Sequence, residues 1–243
     1  MRRAAFLEAA RLGDGDAVRA ALAKDSLLVR ATGDYAKTAL HFAAEKDHLE
    51  VAEILVNAGA DLEARTNWNA TPFDWAAAMG GSRVADLLLS RGASGLTVIT
   101  AASLGKLADV RAILDGGADL ATHRRRDAPA TPDRYWPAGT AHIRGDVLSD
   151  ALYGAARNGH TETVAYLLER GADIDARGVF GATGLHWAAI NGHRETVEFL
   201  VAHGADLSIG DPEFAATPEG WAREGGHGEI ATFLKRAARE VVN

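Results

Sequence analysis

The sequence predicts an all-α fold: a solenoid of stacked helix-turn-helix units. Three observations predict it. Blocks of similar sequence recur in register at spacings of 33 or 34 residues over much of the chain. Each block carries a pair of alanines at one phase and a glycine at another. The 243 residues include no cysteine, so disulfides, thiolate zinc sites and a cysteine nucleophile are excluded and the fold must rest on packing.

The self-similarity is plain in "TALHFAAEKDHLEVAEILVNAGADLEA" from Thr38, "TPFDWAAAMGGSRVADLLLSRGAS" from Thr71 and "TGLHWAAINGHRETVEFLVAHGADLS" from Thr183. The alanine pairs Ala43/Ala44, Ala76/Ala77, Ala101/Ala102, Ala155/Ala156 and Ala188/Ala189 give a short first helix a flat face that a second helix can approach closely. Val51, Ile54 and Leu55, like Val84, Leu87 and Leu88, recur at helical spacing and predict the apolar face of that second helix. Gly59, Gly92, Gly117, Gly171 and Gly204 fall where a helix C-terminus favours positive φ, and Pro72 and Pro218 fall in first turns, where a missing N–H costs little. An extended excursion then leads to the next unit. No unit can bury its apolar faces alone, so stacking must supply the core.

These blocks resemble ankyrin repeats, whose hallmarks are a T-P-L-H-x-A-A start, a G-H turn and a G-A-D ending at about 33 residues per unit. The resemblance implies an ankyrin-repeat solenoid with short β-hairpin connections, its hairpin tips and first helices lining a concave side. Matching units begin near Ala4, Thr38, Thr71, Leu96, Asp150, Thr183 and Thr217. The expected division is 4–37, 38–70, 71–95, 96–149, 150–182, 183–216 and 217–243, one domain of seven units. The first unit lacks G-A-D and the last has Ala238 in place of glycine, as expected of capping units.

The repeat accounts for most of the nine histidines. His48, His160, His193 and His227 occupy the G-H turn, and His41 and His186 the T-P-L-H position, where the resemblance implies a ring bracing adjacent backbone. His203, beside a helix end, is expected to cap or to face water. His123 and His142, with Asp127, Asp133 and Asp146, match no compact metal-ligand spacing. Asp74 replaces the T-P-L-H histidine; a helix-start carboxylate is the favoured reading and a catalytic acid the other.

Three residues before the threonine phase stand Tyr35, Trp68, Phe180 and Phe214. Four residues after it come Phe42, Trp75, Trp187 and Trp221. The resemblance puts the first column at hairpin tips, in positions that vary with the partner bound. Large apolar side chains at a loop tip lose solvation unless they meet something, so these either bind a partner or pack back on the helices. The second column has the same two readings, a groove wall or packing against the neighbouring unit.

The regularity breaks twice in succession. "GASGLT" passes almost directly from one helix end to the next helix, which implies a deleted hairpin. The next spacing is 54 residues and includes an insertion at about 121–149 with five Arg and three Asp, basic within a chain of net charge -7. Arg124, Arg125 and Arg126 suit carboxylate or phosphate, while Tyr135, Trp136 and three prolines suit an ordered lid over the groove. A solvated loop is the plainer reading.

Acidic composition opposes nucleic-acid wrapping, no apolar run reaches membrane-span length, and no nucleotide-binding or hydrolase motif occurs in its proper context. The Ala, Arg, Gly and Asp bias suggests a GC-rich bacterial gene, and a cytoplasmic location is expected. The expected function is a non-enzymatic scaffold binding another protein, with no cofactor and no metal. The alternative is a small-molecule-binding protein or enzyme with a site roofed by the insertion.

Overall fold

The first helices begin by a shared device. Thr38, Thr71 and Thr97 are N-caps in extended conformation, and each side-chain oxygen accepts from the backbone N–H three residues on. His41, Asp74 and Thr100 return the bond to the threonine N–H, which closes a capping box. The computed structural model describes residues 2–118, 120, 147–178 and 181–241. They form two compact bodies, which divide at Leu96 and Thr97.

The first body holds α1 (Arg2–Leu12), α2 (Gly15–Lys24), α3 (Ala39–Glu45), α4 (Leu49–Asn57), α5 (Pro72–Met79) and α6 (Ser82–Ser90). Odd-numbered helices pack on one another, as α1–α3–α5, and even-numbered ones as α2–α4–α6, giving two layers. The second holds α7 (Val98–Ser103), α8 (Leu107–Asp115), α9 (Val147–Arg157), α10 (Thr161–Glu169), α11 (Gly184–Ile190), α12 (Arg194–Ala202), α13 (Pro218–Glu224) and α14 (Gly228–Val241). Here α7–α9–α11–α13 and α10–α12–α14 form the two layers.

The alanine pairs are fully buried, and so are Val51, Leu55, Val84, Leu88, Val197 and Leu200; Ile54 and Leu87 reach only partial burial. The five phase-matched glycines all have positive φ, from 67° at Gly117 to 89° at Gly92 and Gly171. The expected hairpins are reduced to single bridges, Thr32 with Thr38 and Arg177 with Thr183. Next to Leu96, Thr97 caps α7, and Asp150 lies inside α9.

The tightest approach is between α7 and α9. A Cβ on Gly154 would lie 2.1 Å from Ser103 Oγ, whose hydroxyl donates to the Ile99 carbonyl at 2.9 Å. Gly154→Ala gains about 1 kcal/mol of helix propensity but overpacks the contact. A net loss of about 1–2 kcal/mol is expected in chemical denaturation, restored in part by Ser103→Gly. If Gly154→Ala stabilised the chain, the contact would not be tight.

Candidate functional site

The tips between helix pairs share one backbone rule that their residue types do not announce. The residue two before the threonine phase is left-handed in every described tip: Ala36 (φ 59°), Asn69 (59°), Gly181 (64°) and Ala215 (51°). For alanine this conformation costs about 1–2 kcal/mol. The residue just before it is the aromatic of the first column.

In the first body those aromatics stack. Tyr35 and Trp68 lie with centroids 4.6 Å apart and nearly parallel planes, and the Asn67 N–H donates to the Tyr35 carbonyl at 2.9 Å. Trp68 tilts against Trp75 at 6.0 Å. Lys37 Nζ sits 3.7 Å from the Trp75 ring centre and 5.5 Å from that of Phe42, and pairs with Glu45 at 2.7 Å. Trp75 Nε1 is buried with no hydrogen-bond partner among the described residues. Tyr35 remains 47% exposed.

In the second body Phe214 is 75% exposed. Its backbone is nonetheless pinned. Asp211, 2% exposed, accepts at Oδ1 from the N–H groups of Glu213 (3.0 Å) and Phe214 (2.7 Å). At Oδ2 it accepts from the Ala216 N–H (3.1 Å) and Trp221 Nε1 (2.9 Å). Burial would raise the Asp211 carboxyl, but the Trp221 indole and these N–H groups outweigh it and hold it below the usual range. Trp221 meets Trp187 edge-on at 5.2 Å, and the Arg157 guanidinium lies over Trp187 at 4.3 Å. Phe42, Trp75, Trp187 and Trp221 are each half-buried. Phe180, Arg124, Arg125, Arg126, Tyr135 and Trp136 lie outside the described residues.

The T-P-L-H histidines join one unit to the next. His41 Nδ1 accepts from the Thr38 N–H at 3.1 Å, so Nε2 carries the proton and donates to the Ala70 carbonyl at 3.1 Å. His186 does the same with Thr183 and Ala216. Burial pushes both down to about 4. Asp74 occupies the same helix position, with Oδ2 accepting from the Thr71 N–H and hydroxyl at 2.9 Å. A carboxylate keeps the capping half of the histidine's task but cannot donate onward, and it stands where the following connection is short. The G-H histidines reach the preceding turn: His48 Nε2 bonds the Arg11 carbonyl and His160 Nε2 the Ser103 carbonyl, each at 3.1 Å. His203, at the end of α12, donates from Nδ1 to the Phe199 carbonyl at 2.7 Å.

Sequence reasoning missed Asp211, Lys37 and Arg157. Asp211 was findable, since an aspartate opening the tip "DPEFAA" invites bonds from the following N–H groups. Among the described residues, no group of three or more His, Asp or Glu side chains is placed to hold a metal ion, and no helix is long and apolar enough to cross a membrane.

Two layers of short helices, started by capping boxes and joined by stiff tips, define a helical-repeat protein. The family model for ankyrin repeats (3 copies) matches residues 6–98 and 152–241, and the chain belongs to that family. Ankyrin repeats are generally protein–protein interaction modules. No curated protein matches the chain.

Proposed function

We propose that this chain is a non-enzymatic scaffold that binds another protein through the aromatic side chains of its loop tips. The observation that carries this reading is the exposure of Tyr35 and Phe214 on backbones that hydrogen bonds hold in place. Such side chains lose little freedom on binding, and aromatic anchors dominate interface energies. We read the chain as seven units, each contributing one helix pair, with the insertion at 121–149 as a second, basic contributor to recognition. Trp68, Trp75, Trp187 and Trp221 then serve chiefly to support the tips, and Asp74 to cap its helix.

The test is capture of partners from native lysate by the intact chain and by a Tyr35→Ala/Phe214→Ala variant. Both side chains are exposed, so stability should change by less than about 1 kcal/mol. Enrichment of a specific protein should fall by about tenfold or more, equivalent to 1.4 kcal/mol. Partners captured equally by both forms would overturn the assignment to the tips.

A further inference from the structure

The tip between α12 and α13 is opened by a carboxylate, where two other tips are opened by a cation at the same phase. Six residues before the threonine phase stand Arg65, Arg177 and Asp211. The arginines donate to tip carbonyls. Arg65 Nη1 reaches the Asn69 carbonyl at 3.1 Å, and Arg177 Nη1 reaches those of Gly181 at 3.5 Å and Gly210 at 3.3 Å. A guanidinium cannot accept, so Trp75 Nε1 stays buried without a hydrogen-bond partner among the described residues, whereas Trp221 Nε1 at the same phase bonds Asp211.

Asp211 reverses the hydrogen-bonding polarity of its tip. Its carboxylate accepts from the N–H groups of Glu213, Phe214 and Ala216, and its carbonyl accepts from that of Ala215 at 2.9 Å. Pro212 has no N–H, and the side chains of residues 212–215 carry no donor. Every donor of the tip is therefore spent inward. Acceptors remain: the Glu213 carboxylate and the carbonyls of Pro212, Glu213 and Phe214 receive no bond from the described residues. Pro212, Glu213, Phe214 and Ala215 are all exposed. The bonds that use up the donors lie within residues 211–216, so this polarity is independent of what flanks the tip.

The first body shows how a carbonyl at this place is met. Tyr35 holds the phase of Phe214, and its carbonyl accepts from the Asn67 N–H of the adjoining tip while its ring stacks on Trp68. The ring meets an apolar face, and the carbonyl beside it meets a donor.

We propose that the Phe214 tip is an acceptor-only knob for a partner protein that offers an apolar pocket for the ring and a rim of donors, chiefly arginine or lysine, around it. A rim of carbonyls or carboxylates would bury acceptor against acceptor and repel Glu213. Arginine fits best, because its planar fork both donates several bonds and stacks on an aromatic face. The proposal rests on the reading of the tips as the binding surface and adds the chemistry of the partner.

Two measurements on the full chain test it. The N–H groups of residues 213–216 should exchange with solvent at least about 100-fold more slowly than in an unstructured peptide; exchange at the unstructured rate would leave the tip with free donors and overturn the proposal. The binding probe is a peptide of about twelve residues alternating arginine with leucine, compared with its glutamate-for-arginine counterpart by nitrogen-edited NMR titration. The arginine peptide should bind at least about tenfold more tightly and shift the amides of residues 213–216. Phe214→Ala should remove those shifts, and Glu213→Lys should weaken binding by about fivefold or more. Both side chains are exposed, and the rest of the spectrum would verify the fold. Equal binding of the two peptides, no shift at these amides at millimolar peptide, or indifference to Glu213→Lys would overturn the proposal. In capture from lysate, a protein lost with Phe214→Ala but kept with Glu213→Lys would overturn the donor rim and leave the tips as the binding surface. A protein kept with both would count against the Phe214 tip itself. Self-association that Phe214→Ala removes would assign the knob to a second copy and would equally overturn the proposal.

Discussion

Acidification from pH 6.5 to 4 is expected to remove on the order of 6 kcal/mol of folding stability through two side chains, His41 and His186. Each ring is held neutral by the same arrangement: Nδ1 accepts from a threonine N–H and therefore cannot take a proton without losing that bond. Burial then places both at about 4 in the fold. The unfolded chain takes up these protons near pH 6.5, so between 6.5 and 4 it binds more protons than the folded chain and stability falls with pH. Above 6.5 nothing is lost, and below 4 the loss is complete. Each histidine contributes roughly 3 kcal/mol over that window, at 1.4 kcal/mol per pH unit.

His160 and His193 are also lowered, first by burial, and act in the same direction. Against a typical domain stability of about 5–15 kcal/mol, this is sufficient to start unfolding under mild acid. Denaturant melts from pH 7 to 4 on the intact chain and on His186→Gln would check it. The variant's stability should vary less steeply with pH, whatever its value at pH 7. Identical slopes would show that the buried rings do not control the acid response.

Replacement of Asp211 by Asn should cost about 2–4 kcal/mol, the range for leaving buried donors opposed or unpaired around a charged acceptor. Both carboxylate oxygens are occupied by two donors each, so an amide must point its NH₂ at two other N–H groups. No flip of the side chain relieves this. The Trp221 indole would report the loss as a change in fluorescence, because its Nε1 donates to the same carboxylate. The tip should loosen as well, so any partner that depends on Phe214 should bind the variant more weakly. A fully stable variant with an unchanged Trp221 signal would mean that the carboxylate is not what holds the tip.

The repeat was legible because its marks are local and periodic. Threonine-led blocks return at fixed spacing, and the glycines at one phase have the positive φ predicted for them. The helix pairs and the buried alanines follow from these marks. The fate of the aromatic column was not legible, since one phase serves two outcomes: Tyr35 stacks on Trp68, whereas Phe214 faces water.

By itself the sequence determined the ankyrin architecture, because each unit repeats the same short-range bonds and spacings. Only the tertiary structure decided that His41 and His186 are neutral and that Asp211 gathers four donors. These depend on which groups the folded chain brings within hydrogen-bonding distance of one another. No residue spacing along the chain encodes that.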